Sequence, residues 1–151
     1  MWPHDQHLRV VPGGEYQRGS SQRALRTYGR FVQYAGVGVF LTAVPATFNA
    51  NAYTGIQFYV KGTAAALKAI VQTASTESTT YGGRCTLPTL SCAGNEAPAG
   101  ALSATDWRLA QVPFSSLANG TAPFNRTEIW SIEFQPGAGD FDFWIDDLSF
   151  Y

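Results

Sequence analysis

Apolar and polar side chains alternate one for one in Ile56-Gln57-Phe58-Tyr59-Val60-Lys61. A period of two belongs to a β-strand with one face in a core and the other in water, because successive side chains of an extended chain point to opposite sides. An α-helix would spread the same residues around its whole circumference and leave no apolar stripe to bury. Short runs of this kind recur from Ala24 to the C-terminus, divided by clusters of Gly, Pro, Asn and Ser. They predict strands at 22–28, 36–41, 55–61, 67–73, 108–114, 130–135 and 141–150, with an early strand at 7–11. The three alanines at 64–66 are too few and too poorly capped for a helix and read as a turn. The fold class that follows is all-β, an antiparallel sandwich of two sheets.

Parity assigns the faces. Ile56, Phe58 and Val60, then Leu67, Ala69 and Val71, then Ile132 and Phe134 should point into the core. Gln57, Tyr59 and Lys61, then Lys68, Ile70 and Gln72, then Ser131, Glu133 and Gln135 should point outward. Trp107, which opens a strand, is expected in the core, and Trp130 shares the buried parity of Ile132 and Phe134. Trp144 alternates with Phe143 and Ile145 and is expected outside. Asn119-Gly120 marks a loop, and Pro136-Gly137-Ala138-Gly139-Asp140 reads as a turn joining the last two strands into a hairpin.

A length of 151 residues suits one domain, with a sandwich over 22–151 behind a partly ordered N-terminal segment, 1–21. The formal charge is −1, and the ten cationic residues are scattered without a run, which argues against nucleic acid as a partner. No stretch approaches the roughly 20 apolar residues that cross a bilayer, so no membrane association is expected. The polar N-terminus does not resemble a signal peptide; the signal of an exported protein would be removed or lie upstream. Cys85 and Cys92 enclose a six-residue segment that a disulfide can staple in an oxidising, extracellular compartment. Zinc is the rival for two thiols, but there is no Cys-x-x-Cys and no neighbouring histidine to complete its coordination.

Familiar catalytic motifs are absent: both histidines lie near the N-terminus, and no Gly-x-Ser-x-Gly or His-Glu-x-x-His occurs. A carboxylate pair of the glycosidase kind remains open, drawn from Asp140, Asp142, Asp146 and Asp147 with Glu133 on what should be the neighbouring strand. Aromatic residues among amides point instead to a saccharide, whose ring faces stack on aromatics while its hydroxyls need polar partners. Tyr34, Tyr59, Tyr81 and Trp144 are the stacking candidates, and Gln72, Arg84 and Gln111 the hydrogen-bonding ones. The same residues would equally cover a structural or protein-interaction sandwich with solvated polar groups.

The run Phe141-Asp-Phe-Trp-Ile-Asp-Asp-Leu-Ser-Phe-Tyr151, together with Trp107…Val112-Pro-Phe-Ser-Ser-Leu117 and Ile132-Glu-Phe-Gln135, resembles jelly-roll, galactose-binding-like carbohydrate-binding modules of bacterial cellulases and related secreted glycosidases. Tyr53-Thr-Gly-Ile-Gln-Phe-Tyr-Val-Lys-Gly62 and the stretch from Val71 through Cys85 to Cys92 extend the likeness, which covers roughly Arg23 to Tyr151. The resemblance implies a non-catalytic module for plant cell-wall β-glucan, of the cellulose, mixed-linkage or xyloglucan type, attached to or associated with a glycosidase. It also implies a structural calcium, for which Asp146 is the candidate ligand.

Overall fold

The computed structural model describes residues 6–12, 18–21, 23–31, 35–43 and 46–151, with 6–12 and Leu90 described by their backbone alone. In chain order the strands are β1 (Gln6–Pro12), β2 (Arg23–Phe31), β3 (Val37–Phe40), β4 (Gly55–Thr63), β5 (Leu67–Thr73), β6 (Asn95–Pro98), β7 (Arg108–Pro113), β8 (Ile129–Pro136) and β9 (Gly139–Phe150). They form a five-stranded sheet in the order β1-β2-β9-β4-β7 and a four-stranded sheet in the order β3-β8-β5-β6. Every pairing is antiparallel. The expected sandwich is present.

The inner faces meet along the predicted parity. Ile56, Phe58 and Val60 of β4, with Phe141, Phe143 and Ile145 of β9, pack against Leu67, Ala69 and Val71 of β5 and Ile132 and Phe134 of β8. The rings of Phe58 and Phe134 cross edge to face between the two sheets, with centroids 4.6 Å apart. Burying one such side chain stabilises the fold by about 1.5–3 kcal/mol, so these few residues dominate its cohesion.

The expected hairpin of the last two strands does not form. β8 lies between β3 and β5 in the smaller sheet, and β9 lies between β2 and β4 in the larger. Both sides of each backbone are therefore occupied, and residues 137–138 cross from one sheet to the other. The 64–66 turn makes a second crossing beside it, where the Gly137 amide donates to the Ala66 carbonyl at 2.8 Å. Short loops rich in Gly and Ala serve a crossing as well as a hairpin, which is why loop composition alone misassigned the partner.

Four more differences bear on the site. The early strand forms as β1, the edge of the larger sheet, so the sandwich begins inside the segment set apart as 1–21. β6 was not predicted; it is four residues long and ends in Pro98, a residue tolerated at a sheet edge. Trp107 is half-buried and lies outside the central core cluster. Trp130 is buried as expected but for another reason: the register shifts so that Thr73 faces Ile129 while Gln72 faces Ser131, leaving Trp130 as the extra residue of a bulge.

Candidate functional site

The two outer faces differ in how far their side chains satisfy one another. On the five-stranded sheet, Trp144 stands opposite Arg26 on one side and Lys61 on the other. Arg26 lies over its ring at 4.7 Å and also grips Asp142 through two hydrogen bonds of 2.9 and 2.7 Å. Trp144 thus points outward as parity requires, yet it is only 6% exposed. With a guanidinium over one face and so little of the ring reached by solvent, Trp144 offers no open surface for a sugar in this structure. Tyr59 is capped in the same way by Arg18, 3.8 Å from its centroid. Gln111 donates to Gln57 across the β7–β4 pair at 3.1 Å.

The outer face of the four-stranded sheet is less self-contained. Its register sets Phe40, Ser131 and Gln72 in one row, Gly38, Glu133, Ile70 and Glu96 in the next, and Gln135, Lys68 and Pro98 in a third. Phe40 is 61% exposed, and Tyr81, on the loop that follows β5, is 58% exposed. The polar side chains of these rows differ in access: Ser131 and Gln72 are buried, whereas Glu133 and Gln135 are half-buried. Ser131 donates to Glu133 at 3.3 Å, and Lys68 pairs with Glu96. Burial raises the Glu133 carboxyl above its ordinary range, and repulsion from Glu77 adds to the effect. Gln72 is held by the Thr76 hydroxyl at 2.8 Å, and Gly94 leaves room for it: a Cβ there would come within 2.9 Å of its amide.

The loop carrying Tyr81 is built rather than loose. Cys85 and Cys92 form the expected disulfide, with Cα atoms 6.0 Å apart. Cys85 is further anchored by its amide to the Glu77 carbonyl at 2.8 Å and by its carbonyl to the Thr79 amide at 3.1 Å. Gly83 fits only because it lacks a Cβ, which would fall 2.1 Å from the Glu77 carbonyl oxygen. Arg84 is engaged below the loop with Ser75 and Glu128.

The seven expected ligand-binding residues therefore do not form one site. Tyr59, Gln111 and Trp144 belong to the five-stranded face, Gln72 to the four-stranded face, and Tyr81 and Arg84 to the loop beside it; Tyr34 lies outside the described residues. Phe40 was missed, although its parity opposite Val37 and Val39 marks it as an aromatic on the wet side of β3. The glycosidase-like arrangement also separates: Glu133 is on the outer face of the smaller sheet, whereas Asp140, Asp142 and Asp146 are on the larger sheet, and packed sheets alone stand about 10 Å apart before outward side chains add to the distance. Asp140 and Asp142 are moreover paired with Arg30 and Arg26.

Asp146, the candidate calcium ligand, is approached by the chain's own groups, though its buried Oδ2 accepts no hydrogen bond. Its Oδ1 accepts from the Ser21 hydroxyl at 3.1 Å and the Asp147 amide at 2.8 Å, and its Oδ2 lies 3.3 Å from Arg18 Nε. Arg18 also pairs with Asp147, so a guanidinium occupies the place between the two carboxylates. Among the described residues no cluster of three or more acidic, histidine or cysteine side chains is arranged to hold a metal ion.

Residues 2–151 match the family model described as carbohydrate binding domain 30. No curated protein matches the sequence. Among solved structures, the family 11 carbohydrate-binding module of the cellulosomal cellulase Lic26A-Cel5E of Clostridium thermocellum is similar with a TM-score of 0.67, covering 96% of this chain and 80% of its own at 15% identity. The family 11 module from the same organism in complex with a β-1,3-1,4-mixed-linked tetrasaccharide has a TM-score of 0.65, with 96% and 81% covered at 15% identity. The family 30 module of the cellulosomal cellulase Cel9D-Cel44B of C. thermocellum has a TM-score of 0.63, with 94% and 81% covered at 16% identity.

Proposed function

The chain belongs to the carbohydrate-binding domain 30 family, and from that premise we propose that it is a secreted, non-catalytic module holding plant cell-wall β-glucan on the outer face of its four-stranded sheet. The observation that carries the choice of face is the contrast between exposed and capped aromatics. Phe40 and Tyr81 leave most of their surface to solvent, while Trp144 and Tyr59 on the opposite face are covered by the protein's own arginines. Stacking on a pyranose needs an open ring, and the half-buried Glu133 and Gln135 on the same face are polar partners for its hydroxyls. Mixed-linkage glucan is the favoured ligand, supported by the structural neighbour that holds such a tetrasaccharide. Service to a glycosidase is supported by the neighbours' parentage in cellulosomal cellulases, and the disulfide suits an extracellular setting.

Affinity electrophoresis in gels containing barley β-glucan, xyloglucan, hydroxyethylcellulose or xylan tests the reading. Retardation by the first, lost in a Phe40→Ala, Tyr81→Ala double variant and kept in Trp144→Phe, is the expected result. No retardation in any gel leaves a structural sandwich instead. Release of reducing ends from the same polymers would make the protein an enzyme.

A further inference from the structure

We propose that Glu133 is the residue with which this face reads sugar hydroxyls, and that binding a glucan draws its side chain into the ionised form with loss of a proton. The inference rests on the β-glucan reading above and deepens it. Glu133 occupies the middle of the sheet, between Gly38 of β3 and Ile70 of β5. Neither neighbour offers a polar side chain, and a Cβ on Gly38 would stand 2.8 Å from the Glu133 Cγ, so the carboxylate stem lies flush against bare backbone. On its own strand the Ser131 hydroxyl donates to it, at a long 3.3 Å. Gln135 and Gln72 are neutral, Lys68 is committed to Glu96, and Glu77 from the loop after β5 is a like charge. Among the described residues no cation forms an ion pair with Glu133.

A half-buried carboxylate that lacks a cation and has one weak donor is expensive to ionise, and an under-satisfied polar group of this kind calls for an explanation. Sugar hydroxyls supply the missing donors. A carboxylate accepts from two adjacent hydroxyls at once, and hydrogen bonds to a charged group are stronger than those between neutral partners. The empty free site, desolvated and beside Glu77, holds its proton to a higher pH than an ordinary glutamate. Donors in the complex favour the charged form and lower that value again. Within the window between complex and free protein, binding therefore expels a proton, and affinity falls as the pH is lowered; above the window it is flat.

Titration calorimetry with barley β-glucan, run across mildly acidic pH in two buffers of different protonation enthalpy, tests this. The expected result is proton release on binding and affinity that weakens by up to about tenfold per pH unit inside the window, the limit for one linked proton. Glu133→Gln should bind about 10- to 100-fold more weakly at neutral pH, the loss of a charged hydrogen bond, and should show no buffer dependence. Glu77→Gln should bind at neutral pH like the wild type while moving the window to lower pH. Glucan binding without proton release, or a Glu133→Gln variant that matches the wild type, overturns this inference alone. A wild-type protein that binds no glucan at any pH overturns the β-glucan reading and this inference with it.

Discussion

Glu133 and Phe40 show how far a single residue can be read before its surroundings are known. Both stand on the wet parity of their strands, and both would pass as ordinary surface in the sequence. The structure makes Glu133 a carboxylate held against Gly38 with little water. Its folded value is raised, so its ionised form opposes folding, and that cost appears as pH rises through the window above the ordinary glutamate range. Glu133→Gln should therefore raise the melting temperature at neutral pH and leave it unchanged in acid, a stability gain set against the predicted loss of affinity. A differential scanning series over pH checks the sign. Gly38→Val tests the same spot by shape: the added Cβ displaces the Glu133 stem, and glucan retardation should fall while the circular dichroism of the sheet is retained.

At the scale of the element, bulges decide which side chains share a face. β9 shifts register against β4, with Gln57 opposite Ser149 but Tyr59 opposite Asp146. Asp147 takes up the extra length in the left-handed region, at φ 47°, and its amide is received by Asp146. Inward parity thus passes from Phe141, Phe143 and Ile145 to Leu148 and Phe150, which pack against the core. Aspartate tolerates this conformation better than a β-branched residue does. Asp147→Val should destabilise the domain by about 1–3 kcal/mol, and Asp147→Gly by less, as read by denaturant unfolding. Neither bulge announces itself in the sequence: Ile-Asp-Asp-Leu and Ile-Trp-Ser-Ile break the alternation, but either break could equally end a strand.

Across the whole molecule, two devices tie loops to the sandwich. The guanidinium of Arg18 joins the N-terminal segment to Asp146 and Asp147 at the β9 bulge. With that cation supplied by the chain itself, the melting temperature should be the same in EDTA and in millimolar calcium, whereas Arg18→Ala should lower it; a drop in EDTA would mean that calcium, not Arg18, holds the segment. The Cys85–Cys92 bridge closes a short loop, and its removal by a double serine variant should cost about 2–4 kcal/mol. Because Cys85 also holds the turn that bears Tyr81, its carbonyl accepting from the Thr79 amide, the same variant should also bind glucan more weakly.

Alternation, a local property of extended backbone, was enough to place eight of the nine strands and to name the inward residues of β4, β5 and β8. It also showed that Trp144 points away from the core. It had no means of showing that β8 and β9 lie in different sheets, since strand pairing depends on which distant backbone offers free hydrogen-bonding groups. That pairing sorts the outward residues into two opposite faces and parts Glu133 from the C-terminal aspartates. Whether an outward aromatic stays open then depends on an arginine arriving from elsewhere in the chain: Arg26 and Arg18 close Trp144 and Tyr59, and no such cap closes Phe40 or Tyr81 among the described contacts. The sequence determined what could face water; the tertiary contacts decided which of those surfaces remained available to a ligand.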